Sequence, residues 1–527
     1  MIAGLVSCKT THSDPIGNYN ITWESQSKNS GESMPCGGGD IGLNVWVENG
    51  QVFLYLSRSG TFDENNAFLK LGRTRITLTP NPFSGTDFKQ ELDLRNGCVK
   101  ISGSDGDLTA QVLIWADVYH PVAHIEISAS QEVATTVSYE SWRYRDRLMH
   151  GRENNANSYK WAPQGEVKLF KDETAFEENG VMFYHRNRNE HSVFDVTVKQ
   201  QGLDSVKSGM FNPLKDLTFG GYITGQGLHP ADTSRGIYLN TDFKAWNLQA
   251  DSPHKKQDIE IYFHTGTPES VDEWKSGLYR LIADYGRDRL KSRIETVKWW
   301  HRYWDRSFIV IQPGNPDVQS DAWQAGRNYQ LFRYMLGCNA YGQYPTKFNG
   351  GLFTYDPCLV DSTMDFTPDH RNWGGGTFTA QNQRLVYFPM LKAGDFDHMK
   401  PQFDFYLRAL GNAVLRSKVY WNHGGACYTE QIENFGLPNC AEYGWNRPEG
   451  YPPGLQYNKW LEYQWDTALE FCLMILETNR YAGKDITGYI PFIESVLTFF
   501  NEHYKHLALE RGDEIYDENG YLVFYPG

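Results

Sequence analysis

Near residue 268 the period of the hydrophobic pattern switches from two to 3.6, which divides the chain into a β half and an α half. Up to Gly266 the apolar residues alternate, as in "RITLT" from Arg75, "VLIWADV" from Val112, "HIEIS" from His124 and "DIEIYFHTG" from Asp258. Such runs, rich in Thr, Val, Ile and aromatics and broken by Gly, Asn and Pro, predict a large antiparallel β-sandwich over residues 20–267. From Ser270 onward Trp274, Leu278, Leu281, Ile282, Tyr285, Leu290, Ile294 and Val297 recur at helical spacing with charges between them. This predicts a helical linker over 268–315, ending in the extended piece "FIVIQPG".

Further helical runs follow at Asp321–Asn339, Thr379–Lys392, Lys400–Ala413, Tyr457–Tyr481 and Tyr489–Tyr504. Two loops between them, 341–377 and 417–455, exceed the ~12 to 15 residues usual in a compact domain and are rich in Gly, Pro, Asn and Trp. The expected fold is multidomain β + α: an N-terminal antiparallel β-sandwich, a helical linker, and a C-terminal (α/α)6-type helical barrel over 316–527 with a cleft at one end. A closed barrel needs roughly twice as many helices as follow the linker, so the barrel is expected to be truncated.

With 527 residues and 40% apolar content, two or three domains are expected. The formal charge of −14 argues against nucleic acid or an anionic membrane as partner, since either needs a clustered basic face. Aromatics make up 15%, including 16 Trp and 32 Tyr, which offers stacking faces with a polar handle and suits carbohydrate. None of the eight cysteines has CxxC or Cys/His zinc spacing, so no metal and no cofactor are expected. Cys8 ends "LVSC", a lipobox-like sequence; residues 1–8 are expected to be a lipoprotein signal remnant, with export to the periplasm or outer membrane and a lipid on Cys8 as the sole membrane attachment. No stretch of ~20 apolar residues exists to span a bilayer.

Acid–base chemistry on a glycosidic bond needs one protonated carboxyl and a second group that activates water or attacks carbon. The loop 341–377 supplies Lys347, Asp356, Asp361, Asp365, Asp369 and Arg371, beside Asn349 and Trp373; the loop 417–455 supplies His423, Glu430 and Glu433. In "PDHRNWGGGTFTAQNQRLVYFP", Thr377 or Thr379 is expected to cap the helix that follows, and Gly374 to Gly376 to let backbone approach a ligand. From a start near Ala380, Gln381 and Arg384 share a face and Asn382 lies off it, so a polar first turn points into a cavity or into interhelix hydrogen bonds. "CGGGD" at Cys36 reads as a hairpin connection and not as a phosphate cradle, because no helix follows it.

These same stretches carry a resemblance. "MPCGGGDIGLNVWV" resembles the opening motif of glycoside hydrolase family 95, and "QNQRLVYFPMLKAGDFD" resembles that family's asparagine-containing helix. From Trp23 the chain is similar to uncharacterised secreted bacterial proteins with domain of unknown function 5703. The resemblance implies a β-sandwich, a helical linker and an (α/α)6 barrel, and an inverting, exo-acting glycosidase on plant or host glycans. It places Asn382 on the second asparagine of the helix motif; Ala380 and Val386 stand where further asparagines would be, which argues against water activation by an asparagine pair. It makes Glu430 or Glu433 a sugar-binding or assisting group and puts the family's general acid in a segment that should start around Tyr525 to Gly527.

The function expected from the sequence is therefore a glycoside hydrolase. Glu430 is the candidate acid or acid partner, with Asn382 and Asp369 around the reacting sugar. Trp373, Arg384, Lys347, Asn349, Gln381, Glu433 and His423 are substrate contacts. Rival readings are a glycoside phosphorylase, a non-catalytic glycan-binding lipoprotein and a polysaccharide lyase.

Overall fold

The computed structural model describes residues 14–285, 288–311, 317–444 and 446–525; Cys8, part of "FIVIQPG" and the last two residues lie outside them. Fifteen strands join into two antiparallel layers through one strand of 20 residues, Val122–Ser141. Its first half pairs with Leu108–Ala116 and His254–Gly266, and its second half with Arg73–Thr79 and Thr241–Ala250. The "CGGGD" stretch does form a hairpin, with Met34–Gly38 returning as Ile41–Glu48. In the latter strand Leu43, Val45 and Val47 enter the core between the layers. Its other face is covered too, because Asn44 donates from Nδ2 to Phe353 O at 3.1 Å.

Ten helices are described. The first, α1 (Val193–Gln200), lies inside the β half, and α2 (Val271–Tyr285) and α3 (Arg289–Arg306) form the linker. They are followed by α4 (Asp321–Gly337), α5 (Ala380–Ala393), α6 (Lys400–Trp421), α7 (Ala441–Gly444), α8 (Lys459–Tyr463), α9 (Thr467–Ala482) and α10 (Ile490–Arg511). Helix α2 packs Trp274 and Leu278 on Tyr222 and Tyr262 of the sheet. Helix α3 turns Trp300 onto Tyr334 of α4, with ring centroids 4.8 Å apart, and Trp304 donates to Leu94 O at 2.7 Å. This aromatic seam joins the two halves.

The long loop 341–377 touches α5 and α6 at its start, through Thr346 N to Tyr387 Oη and Tyr344 against Phe405, and is then tied to the β half. Asp356 accepts from Tyr55 Oη at 2.6 Å and Ser30 Oγ at 2.5 Å, and Asp369 accepts from Arg143 Nη1 at 2.7 Å. Buried His398 sits between Trp299 and Tyr303, and burial lowers its pKa from 6.5 to about 3. The folded state therefore favours the neutral ring, and the unfolded chain binds the extra proton first as pH falls. Stability from this residue is complete above pH 6.5 and declines toward pH 3. Urea melts of His398→Gln should show a shallower loss of stability from pH 6.5 to 4 than the parent; equal slopes would refute the buried neutral ring.

Candidate active site

The site is built where α5 begins. Strand Thr377–Thr379 pairs antiparallel with Gln431–Glu433, which sets Glu430 against the first turn of α5. Ala380 N donates to Glu430 O at 2.8 Å, and Gln381 N donates to the Glu430 carboxylate at 3.2 Å. A helix N-terminus presents unpaired N–H groups and partial positive charge, so a carboxylate from another segment is a fitting cap. This corrects the expectation of a threonine cap: Thr379 makes no cap bond and instead donates from Oγ1 to Asn382 Oδ1 at 2.7 Å. No described residue accepts from Asn382 Nδ2, and the side chain is half-buried.

Glu430 is 3% exposed. Burial raises its pKa, opposed by the Gln381 N–H and by the charges of Lys160 and Arg384. Lys160 comes from the β half with a backbone φ of +48°, and its Nζ donates to Gln431 Oε1 at 3.4 Å. Burial lowers the Lys160 pKa, while Glu433, Glu442 and Glu430 resist that shift. Glu442 of α7 is also buried, and burial raises its pKa, with Lys160 as the one opposing charge. Its carboxyl makes no hydrogen bond among the described residues. The charge of Lys160 thus acts on two buried carboxyls in unequal settings: Glu430 also has a helix N-terminus and Arg384, and Glu442 has no other cation.

Two tryptophans border the group. Trp161 is 41% exposed with Lys160 Nζ 5.5 Å from its ring, and Trp373, at φ +72°, is 56% exposed. Arg384 pairs with Glu470 of α9 at 2.6 Å and donates from Nε to Gln381 O at 3.2 Å. The structure therefore brings together Glu430, Gln381, Asn382 and Arg384, and Trp373 stands next to Gly374, where an added Cβ would lie 3.2 Å from Lys160 Cε.

The other expected residues have protein partners. Asp369 accepts from Lys70 N at 2.8 Å and Trp142 Nε1 at 2.5 Å besides Arg143, so it ties the loop to the sheet. Glu433 is fully buried and accepts from Asn66 Nδ2 at 2.7 Å and Thr377 Oγ1 at 2.9 Å, with Ser158 and Asn439 filling its remaining positions. Lys347 is buried, donates to Thr377 O, and has its pKa driven well down by burial. Asn349 binds Asn372 O at 2.6 Å, and His423 pairs with His503 at 2.9 Å beside α10.

The glycine run also has a different purpose. A Cβ on Gly375 would lie 2.0 Å from Phe68 N and one on Gly376 1.9 Å from Asn66 Oδ1. The close approach is to a hairpin of the β half, not to a ligand. Gly375→Ala should cost about 1–3 kcal/mol, as overpacking does, and lower the thermal midpoint; an unchanged midpoint would show that the seam is looser. Sequence reasoning missed Lys160, Trp161 and Glu442. Trp161 and Lys160 lie in a long connection within the β half, and Glu442 lies in the very loop 417–455 that was singled out; loop length was the available signal.

A β-rich layer pair followed by helices, with a buried acid at the start of one of them, is the class of protein defined here. Residues 22–309 match the family described as domain of unknown function (DUF5703), and the chain belongs to that family. No curated protein matches the sequence. A putative kojibiose phosphorylase from the human microbiome is similar in fold, with TM-score 0.50 and 12% identity over 93% of this chain and 59% of that one. The chain thus spans about three fifths of that relative's length. A bacterial glucoamylase complexed with acarbose aligns at TM-score 0.37 and 10% identity, over 80% of this chain and 56% of that one.

Proposed function

We propose that this chain is a carbohydrate-active enzyme that cleaves glycosidic bonds by inverting acid–base hydrolysis, with Glu430 and Glu442 as its carboxyl pair. The observation that carries the reading is the unequal environment of two buried carboxyls around Lys160. A group without hydrogen-bond partners keeps its proton, so Glu442 is the acid that protonates the leaving oxygen. Glu430, capped by the Gln381 N–H and near Lys160 and Arg384, is the group more readily ionised. Its raised pKa makes it a useful base toward an attacking water. The set of side chains around it fits a sugar: Trp161 and Trp373 offer faces, and Asn382 Nδ2 and Gln381 offer hydrogen bonds.

The helical half is read as part of an (α/α)6 barrel. Leu385 on α5 and Leu473 and Leu476 on α9 are exposed at 65%, 48% and 45%, the kind of apolar face that barrel packing covers. A second reading, phosphorolysis, is favoured by the fold likeness to a putative phosphorylase and by the ammonium of Lys160, which could attract phosphate. Turnover of a glycan panel with and without inorganic phosphate separates the two. Hydrolysis predicts free reducing sugar at equal rates in both; sugar phosphate formed solely with phosphate present would sink the hydrolytic reading.

A further inference from the structure

A second aromatic surface lies at the far end of α5, a helix of 14 residues and so about 20 Å long. Tyr119 and Tyr341 are 45% and 46% exposed, with nearly parallel rings whose centroids are 6.2 Å apart at an interplanar angle of 24°. Each hydroxyl accepts a hydrogen bond, that of Tyr341 from the buried side and that of Tyr119 at the surface. Trp299 Nε1 donates to Tyr341 Oη at 2.8 Å, and Arg302 Nη2 donates to Tyr119 Oη at 3.0 Å. Trp299 and His398 also pack edgewise on Tyr341, at 6.1 Å and 6.2 Å. The backbone is tied as well, since Tyr341 N donates to Gly39 O at 2.9 Å and Tyr119 N to Asp117 Oδ1 at 2.8 Å.

Tyr341 forms the shared wall of two open clefts, one of about 550 Å³ and one of about 500 Å³. Their charged walls are balanced, with four acidic and four basic side chains. Most are already paired: Arg58 with Asp40 at 2.9 Å, Lys400 with Asp404 at 2.5 Å and Lys484 with Asp397 at 2.6 Å. A charged ligand would have to break such pairs, whereas a neutral hydroxylated one can bond to their free lone pairs and protons. Rings held rigid before binding lose little entropy when a ligand stacks on them.

We propose that Tyr119 and Tyr341 form an ancillary binding surface for a neutral oligosaccharide chain, separate from the carboxyl pair. The ligand class rests on the carbohydrate reading above, but the surface does not depend on Glu430 or Glu442. Native gel electrophoresis of the full chain through soluble starch, mixed-linkage β-glucan, arabinoxylan or galactomannan tests it, with polygalacturonate as the acidic comparison. Retardation is expected in at least one neutral polysaccharide. Tyr119→Ala with Tyr341→Ala should weaken it about tenfold or more, the loss expected when a stacking anchor is truncated. Tyr119→Trp, which keeps a ring at an exposed position, should retain it, and so should Glu430→Gln. No retardation in any neutral gel, retardation in polygalacturonate alone, or full retardation of the double alanine variant would overturn the proposal. Loss in Glu430→Gln with the tyrosine variants unaffected would place all binding at the carboxyl pair.

Discussion

Replacing Glu430 by Gln should lower kcat by about 10³-fold, within the range that one acid–base group contributes, while the fold stays intact. The amide is nearly isosteric and its oxygen still accepts from Gln381 N, so the start of α5 remains capped. Glu442→Gln should have an effect of similar size, because each carboxyl serves the same transition state from a different side. The two losses should not add in the double variant, since groups acting as a unit lose most of their value when one is removed. The check is initial-rate kinetics on whichever glycan the wild type turns over, with circular dichroism to confirm equal folding. A fall of less than about tenfold for Glu430→Gln would remove it from the chemistry.

The second large effect concerns Asp369. Substitution by Ala should cost about 3–5 kcal/mol of stability, because three buried donors, Lys70 N, Trp142 Nε1 and Arg143 Nη1, lose their acceptor at about 1–3 kcal/mol each before relaxation. Arg143 is 2% exposed and keeps one carboxylate of its two. Arg143 also pairs with Asp172 at 2.9 Å, and Asp172 in turn meets His185 at 3.1 Å, so the disturbance reaches the buried network of the sheet. Burial pulls the His185 pKa down, but Glu64 and Asp172 outweigh it and lift the pKa to about 10. Denaturant melts measure the loss. Activity per folded molecule should be retained below the transition, which a residue touching the reacting sugar would not allow; full stability with lost turnover would return Asp369 to the active site.

The division into β and α halves was legible because periodicity is a local property, and both halves keep it over many residues. Helix starts at Asp321 and Lys400 were legible for the same reason. Helix α1 was not, since Val193, Phe194, Val196, Thr197 and Val198 in eight residues look like a strand until the β half buries one side of them. Helix α6 runs eight residues past Ala413, through "VLRSKVYW", where charges next to aromatics read as loop. The run Tyr457–Tyr481 is broken between Tyr463 and Thr467 into α8 and α9.

At the site, Glu430 was visible because an acid among Gly, Asn and aromatic residues in a long loop is unusual. Its partners were not visible. Lys160 touches Gln431 across 271 positions, and Asp369 meets Arg143 across 226. No local pattern reports such pairings. Glu433 looked as promising as Glu430 three residues away, yet the strand register turns it inward to Asn66 and Thr377 while Glu430 meets the helix start. Burial and register, both tertiary properties, separate a structural carboxylate from a candidate catalytic one.

The division of labour between the two carboxyls is tested most directly by the pH dependence of kcat/KM for the wild type and the two glutamine variants. A base must be ionised and an acid protonated, so the wild type should give a bell. The account predicts that Glu430→Gln loses the acidic limb and keeps the alkaline one, and that Glu442→Gln does the reverse. Both limbs persisting unchanged in either variant would contradict it.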